Sequence, residues 1–447
     1  MDDLRPFDLL GPLPGPGVTV LEASAGTGKT FTIAALAVRF VASGAPLDRV
    51  LIVTFTRLAT SELRDRVRHR LVTAAEALRA ITEGEPVPPG DELVAFLATG
   101  TPEEVSCRRD RLHSAVANFD AATIATTHGF CQQVLQGLGV LGDAPQEATV
   151  LEDPSDLVTE VVDDRYTRHV LELGSVPFDR RQALAIGRCA VANPQAPIEP
   201  RHAEPSTPSG LRRRLAKTTR DELERRKRAG GLLTYDDLVT RLHDTLTDDK
   251  RGAAACARLR ERYQVALVDE FQDTDPVQWG ILARAFGDGQ ATLVLIGDPK
   301  QAIYGFRGAD VYAYLDAARR ADHQATLSTN FRSDADYLAA VEALLGQARL
   351  GHNGIPFRAV EATADHRTPG LQGAPDGAPL RFRVLDRSSP AVRKVAGGAA
   401  AVGPARQLVA ADVAGDIAAL LRSGALVRPV PARDAATEVR AGDVAVL

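Results

Sequence analysis

Val18-Thr19-Val20-Leu21-Glu22-Ala23-Ser24-Ala25-Gly26-Thr27-Gly28-Lys29-Thr30 is the stretch on which the fold turns. It runs from a short apolar strand through a glycine-bearing loop into a segment, Thr30 to Val41, whose apolar residues recur at helical spacing. The pattern Ala23-x-x-x-x-Gly28-Lys29-Thr30 between a strand and a helix is the setting of a phosphate loop. Gly26 and Gly28 let the backbone curl until its N–H groups face phosphate oxygens. The helix opening at Lys29 adds the positive end of its dipole. Residues Ala23, Ser24, Ala25, Gly26, Thr27, Gly28, Lys29 and Thr30 are therefore expected to cradle a nucleotide. Lys29 reaches its β- and γ-phosphates and Thr30 sets a hydroxyl on Mg²⁺, so ATP and Mg²⁺ are the expected cofactors.

Outward from this loop the pattern repeats. Val50-Leu51-Ile52-Val53 is a continuous apolar run, as expected of a strand buried on both faces of a parallel sheet, and a helix follows over Ala59 to Leu71. Val265 to Val268, Leu293 to Ile296 and Ala325 to Leu327 read as further strands. Strands alternating with helices predict an α/β protein with a doubly wound parallel sheet. The strand at 265–268 delivers Asp269 and Glu270 at its carboxyl end, where such sheets bind ligands. Asp269 is expected to hold the metal together with Thr30, and Glu270 to polarise the water that attacks the γ-phosphate.

The 447 residues suffice for two or three domains, and a 45% hydrophobic, 25% charged composition is that of an ordinary globular protein. Met1-Asp2-Asp3-Leu4-Arg5 lacks the basic start of a signal peptide, and no apolar stretch approaches the roughly 20 residues that span a bilayer; a cytoplasmic protein is expected. Cys107, Cys131, Cys189 and Cys256 are scattered, which predicts free thiols rather than a metal site or disulfides. A net charge of −5 and a pI of about 6.0 argue against nucleic-acid binding by bulk attraction but leave room for a local basic groove. Gly84 to Gly100 reads as a surface excursion. Residues 140–230 read as a mainly helical insertion, broken by the proline-rich stretch from Asn193 to Gly210. Beyond 350 the periodicity weakens, apart from a strand at Leu380 to Val384, a helix at Leu408 to Leu421 and the opening of a strand after Gly442.

Seven segments, in order, carry a resemblance to a known family. Glu22 to Thr30 looks like motif I, and Val53-Thr54-Phe55-Thr56 through Glu62-Leu63-Arg64 like motif Ia. Thr126-Thr127-His128-Gly129-Phe130-Cys131 resembles the next DNA-contacting motif, and Leu233-Thr234-Tyr235-Asp236-Asp237-Leu238 the segment that re-enters the motor. Asp269-Glu270-Phe271-Gln272-Asp273-Thr274-Asp275 is similar to motif II, Ile296 to Asp310 to motif III, and Thr329-Asn330-Phe331-Arg332-Ser333 to motif IV. Together they resemble superfamily-one DNA helicases of the UvrD/Rep/PcrA type, most closely the N-terminal part of RecB, the beta subunit of exodeoxyribonuclease V.

The resemblance implies a P-loop NTPase of RecA-like fold. It divides the chain into a first motor domain (1–139 and 231–322), the helical insertion (140–230) and an incomplete second RecA-like motor domain (323–447). It implies ATP hydrolysis coupled to 3′→5′ translocation on single-stranded DNA in double-strand break repair and recombination. The implied partners are single-stranded and duplex DNA and RecC- and RecD-like subunits. Gln301 is the implied γ-phosphate sensor and Arg332 the arginine that stabilises developing charge. Phe55, Tyr304 and Phe306 are implied base-stacking platforms, while Thr54, Thr127 and His128 meet the DNA backbone.

Two departures narrow this. No glutamine for reading adenine stands between Phe7 and Gly17, and the family's later motifs and a nuclease signature do not follow. A truncated gene product that binds nucleotide, binds DNA weakly and turns over slowly or not at all is expected. A stand-alone UvrD-like repair helicase and a non-catalytic DNA- or partner-binding fragment are the alternatives.

Overall fold

The computed structural model describes residues 4–141, 149–192, 194, 196–305, 308–428 and 435–447. Its centre is a seven-stranded parallel sheet. In chain order the strands are β1 (Arg5–Pro6), β2 (Gly17–Ala23), β3 (Val50–Thr54), β4 (Thr123–Thr126), β5 (Val265–Val268), β6 (Thr292–Gly297) and β7 (His323–Leu327). Across the sheet they lie in the order β1-β7-β2-β6-β5-β3-β4. The central strands are buried along their whole length because both faces are covered. Leu21, Ile52, Leu267 and Ile296 pack into one core beneath helices α1 (Lys29–Ser43), α2 (Arg57–Thr82), α3 (Glu92–Leu97) and α4 (Pro102–Ala117). Val20, Val53, Val268 and Leu295 face the opposite core, which packs on α5 (Thr127–Leu138) and helices from later in the chain. The α/β class read from the sequence holds.

The insertion contains α6 (Ser155–Leu173), α7 (Arg180–Ala192) and α8 (Pro208–Ala229), gathered around a core of their own that includes Val161, Val162, Phe178 and Leu215. A short parallel pair, Thr149–Val150 with Leu232–Leu233, brings its two ends together. The chain then re-enters the main body through α9 (Tyr235–Thr247) and α10 (Gly252–Arg262), followed after β5 by α11 (Pro276–Phe286) and after β6 by α12 (Val311–Arg320). Short polar side chains fix these starts: Thr234 and Asp275 accept backbone N–H bonds at the N-termini of α9 and α11.

Three expectations need correction. β7 was assigned to the second motor domain beginning at 323, yet it pairs along Thr19–Ala23 of β2, so the first sheet extends at least to Leu327. The expected strand at Leu380–Val384 joins no ladder; Arg381 and Arg383 instead pair with Asp412 and Asp416 of the last helix, leaving Phe382 and Val384 exposed. After Gly442 the chain follows a 3₁₀ turn, Ala441–Asp443, rather than a strand. Beyond β7 the described residues form α13 (Ala335–Leu345), α14 (Val402–Arg422) and two- and three-stranded ladders; neither helix buries a residue. Among the described residues the cysteines are free thiols, and no helix is long and apolar enough to cross a membrane.

Candidate functional site

β2, β6 and β5 are adjacent parallel strands, so their carboxyl ends meet at one edge of the sheet, the position at which a parallel sheet forms a cleft and leaves backbone groups and side chains free for a ligand. Gly26 (φ 80°) and Gly28 (φ 83°) adopt left-handed backbone, and the loop closes through Thr27, whose N–H and hydroxyl both donate to the Ser24 carbonyl. Gly26 is required for a second reason. A Cβ there would lie 2.8 Å from the Cβ of Arg332 and 2.9 Å from Asn330 Nδ2.

Lys29 Nζ lies 2.7 Å from Glu270 Oε2, with the Lys29 side chain 13% exposed and that of Glu270 33%. The same carboxylate oxygen accepts from Gln272 Nε2 at 2.7 Å. Glu270 itself sits in left-handed backbone (φ 49°), the one non-glycine residue to do so among the described residues. Such a conformation costs about 1 kcal/mol or more and is kept where it aims a functional group. Asp269, next to it, is buried at the end of β5, and Thr30 stands one residue into α1. A hydroxyl and a carboxylate of this kind are the oxygen donors that Mg²⁺ takes when phosphates and waters complete its shell.

Gln301 is tied to Asp298. Its Nε2 donates to Asp298 Oδ2 at 2.7 Å, and the Asp298 N–H donates to Gln272 Oε1 at 3.0 Å. Gly297 makes this possible, since a Cβ there would meet Gln272 Oε1 at 2.6 Å.

The motif IV loop docks on the phosphate loop. Asn330, 3% exposed, donates to the Ala25 carbonyl at 2.9 Å and accepts from the N–H groups of Arg332 and Ser333 at 2.8 Å each. The Phe331 N–H donates to the Gly26 carbonyl at 2.8 Å. Arg332 and the Phe331 ring are exposed, and that ring stands over Gly28. From the far side, His366 lies 3.0 Å from Asp334 Oδ1 through Nδ1 and 3.1 Å from the Phe331 carbonyl through Nε2, anchoring the loop. Asn330 and Phe331 escaped notice in the sequence as site residues because their role is contact with a loop some 300 residues away. His366 carries no local signal at all.

The residues expected to meet DNA divide. Phe55 and Tyr304 stack on one another, centroids 5.8 Å apart at 28°. Thr127 and His128 open α5, and His128 meets Tyr235 edge-on at 5.3 Å. Burial depresses the His128 imidazole pKa against the pull of Asp236 and Asp275, which favours its neutral form. Thr54 does not fit its assignment. It is 1% exposed at the end of β3, paired with Thr126 of β4, and its hydroxyl is sealed from solvent, so its side chain is not presented to a DNA backbone. Phe306 lies outside the described residues.

Burial, reinforced by the Glu270 carboxylate, raises both Asp269 and Asp273 to about 6. Asp273 is 6% exposed and its Oδ1 has no partner. Each folded-state pKa stands above the unfolded value, so the associated stability is full below about pH 4 and is lost as pH rises through 6. Asp273→Asn is therefore expected to stabilise the chain at pH 7, by an order of 2 kcal/mol, and to have little effect at pH 4. Thermal melts at the two pH values check this; equal shifts at both would contradict it.

The UvrD/REP helicase N-terminal domain family matches residues 13–322 of the chain. The RecBCD enzyme subunit RecB of Mycolicibacterium smegmatis is 46% identical over 438 residues, covering 97% of this chain and 39% of that protein. RecB of Mycobacterium tuberculosis H37Rv is 46% identical over 439 residues, with the same coverages. RecB of Escherichia coli K12 is 29% identical over 568 residues, covering 97% of this chain and 46% of that protein. The chain spans about two fifths of the length of these relatives.

Proposed function

Because the chain belongs to the UvrD/REP helicase family, we propose that it is the nucleotide-driven motor part of a RecB-like DNA helicase. In this reading it binds ATP–Mg²⁺ in the loop 23–30 and moves 3′→5′ along single-stranded DNA during double-strand break repair. It works in the cytoplasm with subunits like those named in the RecBCD enzyme.

Each side chain then has a physical task. Lys29 and the loop N–H groups hold the phosphates, while Thr30 and Asp269 hold Mg²⁺, whose charge stabilises the transferring phosphoryl group. Glu270 orients and deprotonates the attacking water once the phosphates draw Lys29 away from it. Arg332, on a loop already seated against Gly26, is the cation that meets the γ-phosphate. Gln301 leaves Asp298 for the same phosphate.

The observation that carries the DNA half of the reading is the Phe55–Tyr304 stack. Tyr304 lies three residues after Gln301, so the group that meets phosphate and the ring that meets a base share one short segment. Stacking on such rings tolerates any sequence and is worth about 1–3 kcal/mol per base. Tyr304→Ala is expected to weaken binding of a single-stranded oligonucleotide by roughly that amount and leave ATP affinity unchanged, as read by fluorescence anisotropy. The purified chain should also bind single strands more weakly as salt rises. Hydrolysis by the RecB-like protein that ignores single-stranded DNA would defeat the reading.

A further inference from the structure

At the end of β2 lies a group of mostly buried charges, of which Glu22, Lys300 and Arg358 take no part in the site just described. Glu22, the penultimate residue of β2, is 5% exposed, and a carboxylate at that depth needs cations and hydrogen bonds. Lys300 Nζ approaches its Oε1 at 2.8 Å, and Arg358 Nε approaches its Oε2 at 3.0 Å. Lys300 Nζ also lies 2.8 Å from Asp298 Oδ1. Burial alone would depress the Lys300 ammonium, but Asp298 and Glu22 hold it above its ordinary value. Two carboxylates and two cations balance.

These contacts join the cleft without a break. Arg358 bonds Glu22, Glu22 bonds Lys300, Lys300 bonds Asp298, and Asp298 receives the Gln301 amide. The Asp298 N–H continues through Gln272 to Glu270 and Lys29. Arg358 is the one member outside residues 13–322, and its segment also grips the motif IV strand. The Glu361 N–H donates to the Ser328 carbonyl, Thr363 N–H to the Asn330 carbonyl, and Glu361–Ala362 pairs in parallel with Thr329–Asn330. The segments that carry Arg332 and Arg358 are thus joined by main-chain hydrogen bonds.

We propose that Arg358 is a positioning residue for the nucleotide site: through Glu22, Lys300 and Asp298 it sets where Gln301 stands, and so links the glutamine and arginine that converge on the terminal phosphate. This rests on the nucleotide-binding reading above. Its chemistry is recognition of a triphosphate over a diphosphate, because only the terminal phosphate engages Gln301. A chain of contacts is not yet a coupling, and a double-mutant cycle is what separates the two.

The test measures affinities of the purified chain for a non-hydrolysable ATP analogue and for ADP, each with Mg²⁺, by competition with a fluorescent nucleotide. Arg358→Met is expected to lower the triphosphate-over-diphosphate ratio about tenfold, with ADP affinity held within about twofold. Arg358→Lys should recover part of the ratio. In a Gln301→Ala background Arg358→Met should add little. Glu22→Gln, which keeps shape and one acceptor, should lower the ratio in the same direction and guards against a misfolded Arg358→Met protein. An unchanged ratio, an equal loss for both nucleotides, or full additivity with Gln301→Ala would overturn the proposal. If Lys29→Ala binds both nucleotides like the unmodified chain, the nucleotide-site reading fails instead.

Discussion

Lys29→Ala is expected to remove nucleotide binding from the micromolar range and to lower hydrolysis by about 10²–10³-fold, the effect of losing one preorganised donor to developing phosphate charge. Three features make the effect large. Lys29 is the only cation on the phosphate loop, its side chain is mostly buried, and its ammonium lies 2.7 Å from Glu270. Truncation removes the phosphate contact and also leaves the Glu270 carboxylate facing phosphates without a cation between them. Lys29→Arg should rescue poorly, because a planar fork does not fit a site shaped for a compact ammonium. Titration with a fluorescent nucleotide measures the loss. A variant binding within about threefold of the parent would show that the loop does not hold phosphate as described.

Glu270→Gln should separate chemistry from binding. It retains the volume and the left-handed backbone but lacks the charge, so the hydrolytic step should fall by about 10²–10⁴-fold in a single-turnover assay. Nucleotide affinity should hold or rise, because Lys29 loses its carboxylate partner and is free for phosphate. A matching loss of affinity would mean that Glu270 organises the loop rather than the water. The pair of variants is therefore more informative than either alone.

The sheet and the glycine turn that opens α1 were legible because their signals are local. Apolar runs such as Val50–Val53 and Val265–Val268 can be satisfied only by burial on both faces, and glycines before a helix restrict what the loop can do. Side chains whose function depends on distant partners were not legible. Thr54 reads as a DNA contact from its place in the motif Val53–Thr56, but the side chain is buried at the end of β3, beside Thr126 of β4. The boundary at 323 failed for a similar reason. Motif order places that strand after the first motor, while its hydrogen bonds place it beside β2. Leu380–Val384 has strand composition, and its arginines found carboxylates on a helix before its backbone found a neighbour. Arg358 is invisible in the sequence, since nothing near it hints at a glutamate more than 300 residues earlier.

The closed neck at Thr149–Val150 and Leu232–Leu233 has a consequence for how such a chain can be altered. Because the excursion leaves and returns at one spot, it is a side branch on the main thread. A short turn joining residues near 151 and 231 should allow the motor sheet to close without α6–α8, and the branch, with its own packed centre, could be exchanged for another of different length. The same neck gives engineers a seam, and lineages a place where length can change while the seven-stranded sheet is left as it is.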